Sequence, residues 1–118
     1  MTTFSRLLLS GSTSGREIPV VATATTGTLL HTSVAGSTAF DEVYLWASNV
    51  TGASATLTVE WGGTTDPGDH MVKAYSIPAN SAPIPIATGQ VMNGGLVIRA
   101  FSGTASAINI SGFVNRIQ

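Results

Sequence analysis

The chain has 118 residues, of which 9% are charged, with a net charge of −1 and no cysteine. This length fits one domain with one hydrophobic core. Without cysteine there is no disulfide framework, thiolate metal site or cysteine nucleophile, and five scattered basic residues (Arg6, Arg16, Lys73, Arg99, Arg116) are too few to neutralise a run of phosphates.

β-Branched residues dominate, and turn clusters of Gly, Ser, Thr, Asn and Pro recur about every 8 to 12 residues, the spacing of a β-sandwich or barrel. The first predicted strand is Phe4 to Ser10, closed by Gly11 to Gly15. The second, Glu17 to Ala22, holds Pro19 and belongs at an edge or bulge. Gly27 to Val34, Phe40 to Asn49 and Ala53 to Trp61 follow, with Asn49 to Gly52 read as a hairpin turn between the last two. Met71 to Ile77, a short Pro83 to Ala87, Leu96 to Phe101 and Ala107 to Ile117 complete the set, and Asn93-Gly94 reads as a hairpin signal.

Alternation is cleanest in Ala53 to Trp61, where Ala55, Leu57, Val59 and Trp61 face one way and Thr56, Thr58 and Glu60 the other, the pattern of a half-buried antiparallel strand. In Phe40 to Asn49, Val43, Leu45 and Ala47 share one face while Tyr44 and Trp46 load the other. Such a strand is either covered on both sides or presents aromatics at an interface. Eight or nine short strands without helices give an all-β, antiparallel two-sheet β-sandwich of jelly-roll type; an immunoglobulin-like arrangement lacks its cysteine pair. Residues 1–15 form an N-terminal arm or edge strand and residues 16–118 the sandwich.

The candidate chemistry is sparse. His31 and His70 are the two histidines, and there is no Gly-x-Ser-x-Gly elbow to expose a nucleophile. Asp66 and Asp69 flank a Pro-Gly turn; an oxygen-rich turn can hold Ca²⁺, but two carboxylates do not complete a site, and the favoured reading is a turn with an Asx-type bond from Asp66. Asp41 and Glu42 are neighbours on a strand and point to opposite faces. Trp46 and Trp61 could form a sugar-stacking platform, although core or subunit contacts are the usual use of tryptophan. Asn49-Val-Thr and Asn109-Ile-Ser match the glycosylation sequon, and no secretory signal precedes them. No apolar run approaches the roughly 20 residues that cross a bilayer as a helix. The reading is therefore of a non-enzyme with no cofactor, metal, nucleic-acid or membrane partner.

Low charge has two readings, a surface solvated by the abundant serine and threonine and a surface covered by partner subunits, where charge is depleted; a mixture weighted toward assembly is favoured. The contact residues expected are Phe4, Leu7, Leu8 and Leu9 from the N-terminal segment and Tyr44 and Trp46 from the doubly loaded strand. Phe4 to Leu9 is expected to pair with a neighbouring chain or a shell.

Several stretches taken together, GSTSGR at 11–16, TTGTLLHT at 25–32, DEVYLWA at 41–47, LTVEWGG at 57–63, IPAN at 77–80 and NISGFVN at 109–115, resemble small virion structural proteins of tailed phages that decorate or cement the capsid. The resemblance runs along nearly the whole chain and rests on scaffold and turn motifs. It implies a homo-oligomer, commonly a trimer, synthesised in the host cytoplasm and seated on the outer surface of the major capsid protein shell. It supplies no catalytic residues. The alternatives are a carbohydrate- or receptor-binding module of a tail fibre and a tail-tube or baseplate component.

Overall fold

The structure, a computed structural model, describes residues 2–118. Nine strands carry it, with no helix among the described residues: β1 (Phe4–Leu8), β2 (Ile18–Pro19), β3 (Thr28–Thr32), β4 (Phe40–Asn49), β5 (Ala55–Trp61), β6 (His70–Ile77), β7 (Ile84–Met92), β8 (Val97–Ser102) and β9 (Ile108–Ile117). One sheet has the order β1-β9-β4-β7, with β2 also paired to β9; the other has the order β3-β8-β5-β6. All pairings are antiparallel.

The pairs are nested: β1 with β9, β3 with β8, β4 with β7 and β5 with β6. A long antiparallel hairpin wrapped across two sheets gives this order, which is that of a jelly roll. Period-two alternation places Val43, Leu45 and Ala47 of β4, Leu57 and Val59 of β5, Ile98 and Ala100 of β8 and Ile110 and Val114 of β9 between the sheets, all fully buried.

Nesting corrects two expectations. The turns at 49–52 and 93–94 are not hairpins, because β4 and β5 lie in different sheets, as do β7 and β8. They are corners where the chain crosses the sandwich. Asn49 builds the first. Its Nδ2 donates to the carbonyls of Ala53 (2.8 Å) and Ile77 (3.2 Å), and its Oδ1 accepts from the backbone N–H (2.9 Å) and hydroxyl (2.7 Å) of Thr51. The amide is buried and both its donors and its acceptor are used.

Strand β7 runs five residues beyond the expected end at Ala87. Pro85 is tolerated because β7 is an edge strand, and Gly89, at φ 110°, sits in a register shift. The polar side of β5 is also less open than alternation suggests. Thr58 and Glu60 are buried: Thr58 Oγ1 accepts from Ala74 N–H (3.0 Å), and the Glu60 carboxylate accepts from Thr25 Oγ1 (2.7 Å) and Gly27 N–H (2.8 Å). The segment ending at Gly27 crosses β8 so closely that a side chain at 27 would overlap the Ala100 backbone.

Strand β1 is the edge strand beside β9 of its own chain. After it the chain leaves the sheet and ties the two sheets together, with Gly11 N–H donating to Leu30 O (2.9 Å) and Thr32 N–H to Ser10 Oγ (2.6 Å). It then returns to the same side of β9 as β2.

Candidate docking face

The register fixes which side chains leave the core on the outer side of the five-stranded sheet. Tyr44 stands opposite Phe113, Glu42 opposite Asn115 and Phe40 opposite Ile117 on β4 and β9. On β1, Leu8 stands opposite Phe113, Arg6 opposite Asn115 and Phe4 opposite Ile117. On β7, Pro85, Thr88 and Val91 stand opposite Trp46, Tyr44 and Glu42. Along β1, β9, β4 and β7 this face carries two charges, Arg6 and Glu42, among apolar, aromatic and uncharged polar side chains, and at its β2 end Arg16 and Glu17 line a pocket with Pro19 and Asn109. Phe4 is 72% exposed, Leu8 57% and Val91 54%.

At its centre three rings cluster on β9 and β4, with Arg6 of β1 beside them. The Arg6 guanidinium lies over the Phe113 ring, 4.6 Å from its centroid. Phe113 stacks on Tyr44 at 4.9 Å with planes 18° apart, a separation equal to the strand spacing. Trp46, two residues along β4 from Tyr44, closes a triangle with these two rings, 6.0 Å from Phe113 and 6.5 Å from Tyr44. Two glycines make room for Tyr44: a Cβ at Gly112 would overlap its carbonyl oxygen, and one at Gly89 would lie 3.2 Å from its hydroxyl.

Beneath this face, Asp41 is fully buried. It accepts from Arg116 Nε (2.7 Å) and Nη2 (3.0 Å), His31 Nε2 (2.8 Å) and Val34 N–H (3.2 Å). Burial pushes the Asp41 carboxyl up, but the hydrogen bonds from Arg116 and His31 outweigh it and hold the group below its ordinary range. His31 Nδ1 accepts from Ser10 N–H (3.0 Å), so the ring proton sits on Nε2 and points at Asp41. This His–Asp pair has the outline of part of a hydrolytic triad, yet the nitrogen a nucleophile would use is occupied by a main-chain amide.

His70 lies in the other sheet, its side chain almost buried and its ring edge-on to Phe101 at 6.2 Å. Its ring nitrogens have no hydrogen-bond partner among the described residues; Asp66 Oδ1 approaches Nδ1 to 3.5 Å. The Asp66 carboxylate is held by Lys73 Nζ at 2.7 and 2.9 Å, a bond that lowers its pKa. Asp66 is thus engaged by Lys73 in place of the expected Asx-type bond, and the turn is closed by Asp69, whose Oδ2 accepts from Thr65 N–H four residues back (3.0 Å). Trp46 and Trp61 lie in different sheets, and Trp61 packs against the core, so the two form no common platform.

Of the six contact residues expected from the sequence, Phe4, Leu8, Tyr44 and Trp46 share the outer face. Leu7 packs against the core and Leu9, 2% exposed, belongs to it: alternation along β1 turns both inward. Sequence reasoning did not single out Phe113, Arg6 or Val91. Phe113 was legible as an outward residue of the last strand, but its stacking on Tyr44 depends on the β4–β9 register.

The chain matches no family model, no curated protein and no solved structure.

Proposed function

We propose that this protein is a non-enzymatic structural subunit of a virion, which self-associates, as trimers on the resemblance, and cements the exterior of a capsid by docking on the major capsid protein. The observation that carries this reading is the outer face of the five-stranded sheet, where Phe4, Leu8 and Val91 stay exposed on the strands around the cluster of Arg6, Phe113, Tyr44 and Trp46. Monomeric proteins seldom leave a contiguous apolar patch larger than a few hundred Å² open to water. A scaffold with 9% charged residues gains little colloidal stability from the rest of its surface. Aromatic residues with an arginine are the usual composition of an interface centre.

A sugar stacks on an open ring face, and Phe113 is flanked by Arg6 and Tyr44. The test is co-sedimentation of the purified protein with capsids assembled from the shell protein alone. Saturable binding at hundreds of copies per particle supports the reading. Binding on a glycan array without shell binding would support the tail-fibre alternative.

A further inference from the structure

The sandwich has four strand edges, and three are spoiled for pairing. β7 carries Pro85 and two register shifts. β6 has two register shifts and Ala74 at φ 49°. β3 has one register shift and is capped by the Gly11–Leu30 bond. Bulges, prolines and covering loops are how sheet proteins blunt their edges. β1 has no proline and no bulge: its register with β9 runs unbroken from Phe4 to Leu8, the following loop meets it at the Leu8 side chain beside Gly15, and among the described residues no strand pairs with its far side.

We propose that β1 pairs antiparallel with β1 of a second copy about a two-fold axis at Arg6, joining two five-stranded sheets into one. In this register Phe4 lies beside the partner's Leu8, and the reverse, on the outer face. These are two of the most exposed apolar side chains in the protein, and apolar cross-strand pairs stabilise a ladder. Arg6 would face its own symmetry mate, which ordinarily disfavours pairing. Here the guanidinium is drawn off the edge, over Phe113 and toward Asn115 Oδ1 (3.5 Å). The two charges then sit over the two β9 strands, three strand spacings or roughly 14 Å apart, beyond the screening length of about 10 Å in 0.1 M salt. Two five-residue strands bury less than the roughly 1,200 Å² of a stable dimer interface. The contact is therefore weak alone and suited to repetition on a symmetric particle. This inference rests on the self-association reading above; a two-fold contact closes on itself and does not build a trimer, so it joins a protomer of one trimer to a protomer of the next.

The chain has no cysteine, so cross-linking gives a clean test. Residues opposite one another in an antiparallel pair have Cα atoms about 4.5–5.5 Å apart, within disulfide reach. Under mild oxidation Arg6→Cys should yield a covalent dimer, whereas Tyr75→Cys, on the β6 edge, should not. In the wild-type chain, hydrogen exchange should show β1 amides becoming protected as concentration rises. Phe4→Lys with Leu8→Lys, at exposed positions, should keep the circular dichroism of the fold and weaken self-association by about tenfold. Equal cross-linking at the two cysteines, or β1 amides that stay unprotected while the protein oligomerises, would overturn the edge contact and leave self-association standing. A wild-type monomer at all concentrations that still binds shells would overturn the edge contact and leave shell binding standing.

Discussion

Asp41 and Arg116 face each other across β4 and β9 and share two hydrogen bonds, Nε to Oδ1 at 2.7 Å and Nη2 to Oδ2 at 3.0 Å. The pair ties the inner side of the two central strands at the end where β1 docks, and His31 links the same carboxylate to β3 and, through Ser10 N–H, to the chain leaving β1. One buried carboxylate thus joins both sheets and the N-terminal segment.

Removing that charge should be costly. Asp41→Asn cannot serve both a bidentate arginine and the His31 N–H, and breaking a buried ion pair typically loses about 3–5 kcal/mol. The value near 3 is expected, since Arg116 keeps some solvent contact. Urea unfolding measures it; a loss below about 1 kcal/mol would contradict the assignment.

The same group sets an acid limit. Its carboxyl is held below its ordinary range in the folded protein, so its contribution is fully present above the unfolded value near 3.9 and is lost as pH falls through the lower folded value. Wild-type stability should drop across that acid window. Asp41→Asn should show a shallower drop there, read from urea midpoints at successive pH values.

The corner at Asn49 is open to an isosteric test. Asn49→Asp removes both donors to Ala53 and Ile77 and places a carboxylate beside two carbonyls. A loss of about 2–4 kcal/mol is expected, measured by thermal unfolding. Ser48 is the neighbour for comparison: it lies on the outer side of the same strand end, and Ser48→Ala should stay within about 1 kcal/mol.

Gly112 supports the ring cluster by its lack of a side chain. Gly112→Ala would push a methyl into the Tyr44 carbonyl and force β4 and β9 apart. Overpacking of this kind costs about 1–3 kcal/mol or more. Near-ultraviolet circular dichroism should also report the loss of Tyr44–Phe113 stacking, whereas Gly52→Ala, where a Cβ meets nothing within 4 Å, should leave that signal intact.

Nine strands and two sheets were legible because burial imposes a period of two, as in Val43, Leu45 and Ala47. The jelly-roll pairing was legible only as a class: Asn49-Val-Thr-Gly52 and Asn93-Gly94 have the composition of tight turns, and local composition does not say whether the next strand stays in the sheet or crosses the sandwich. β7 read short because Pro85 and Gly89 are strand breakers everywhere except at an edge or bulge. The aromatic load of β4 was visible in Tyr44 and Trp46, but its partners were not. Asp41 meets Arg116 from 75 residues away, and Glu60 reads as a solvent residue until the Thr25–Gly27 segment folds over it. Long-range partners of buried polar groups leave no periodic trace in a single sequence.

The central claim is that the outer face of the five-stranded sheet docks on a shell. The direct measurement is co-sedimentation of wild-type protein and the double variant Thr88→Lys with Val91→Lys with capsids assembled from the shell protein alone. Both substituted positions are exposed on β7, away from the core and the β1 edge, so the fold and the edge contact should be retained. Saturable binding by the wild type, lost in the variant, is the expected result; undiminished binding by the variant, or none by the wild type, would contradict the account.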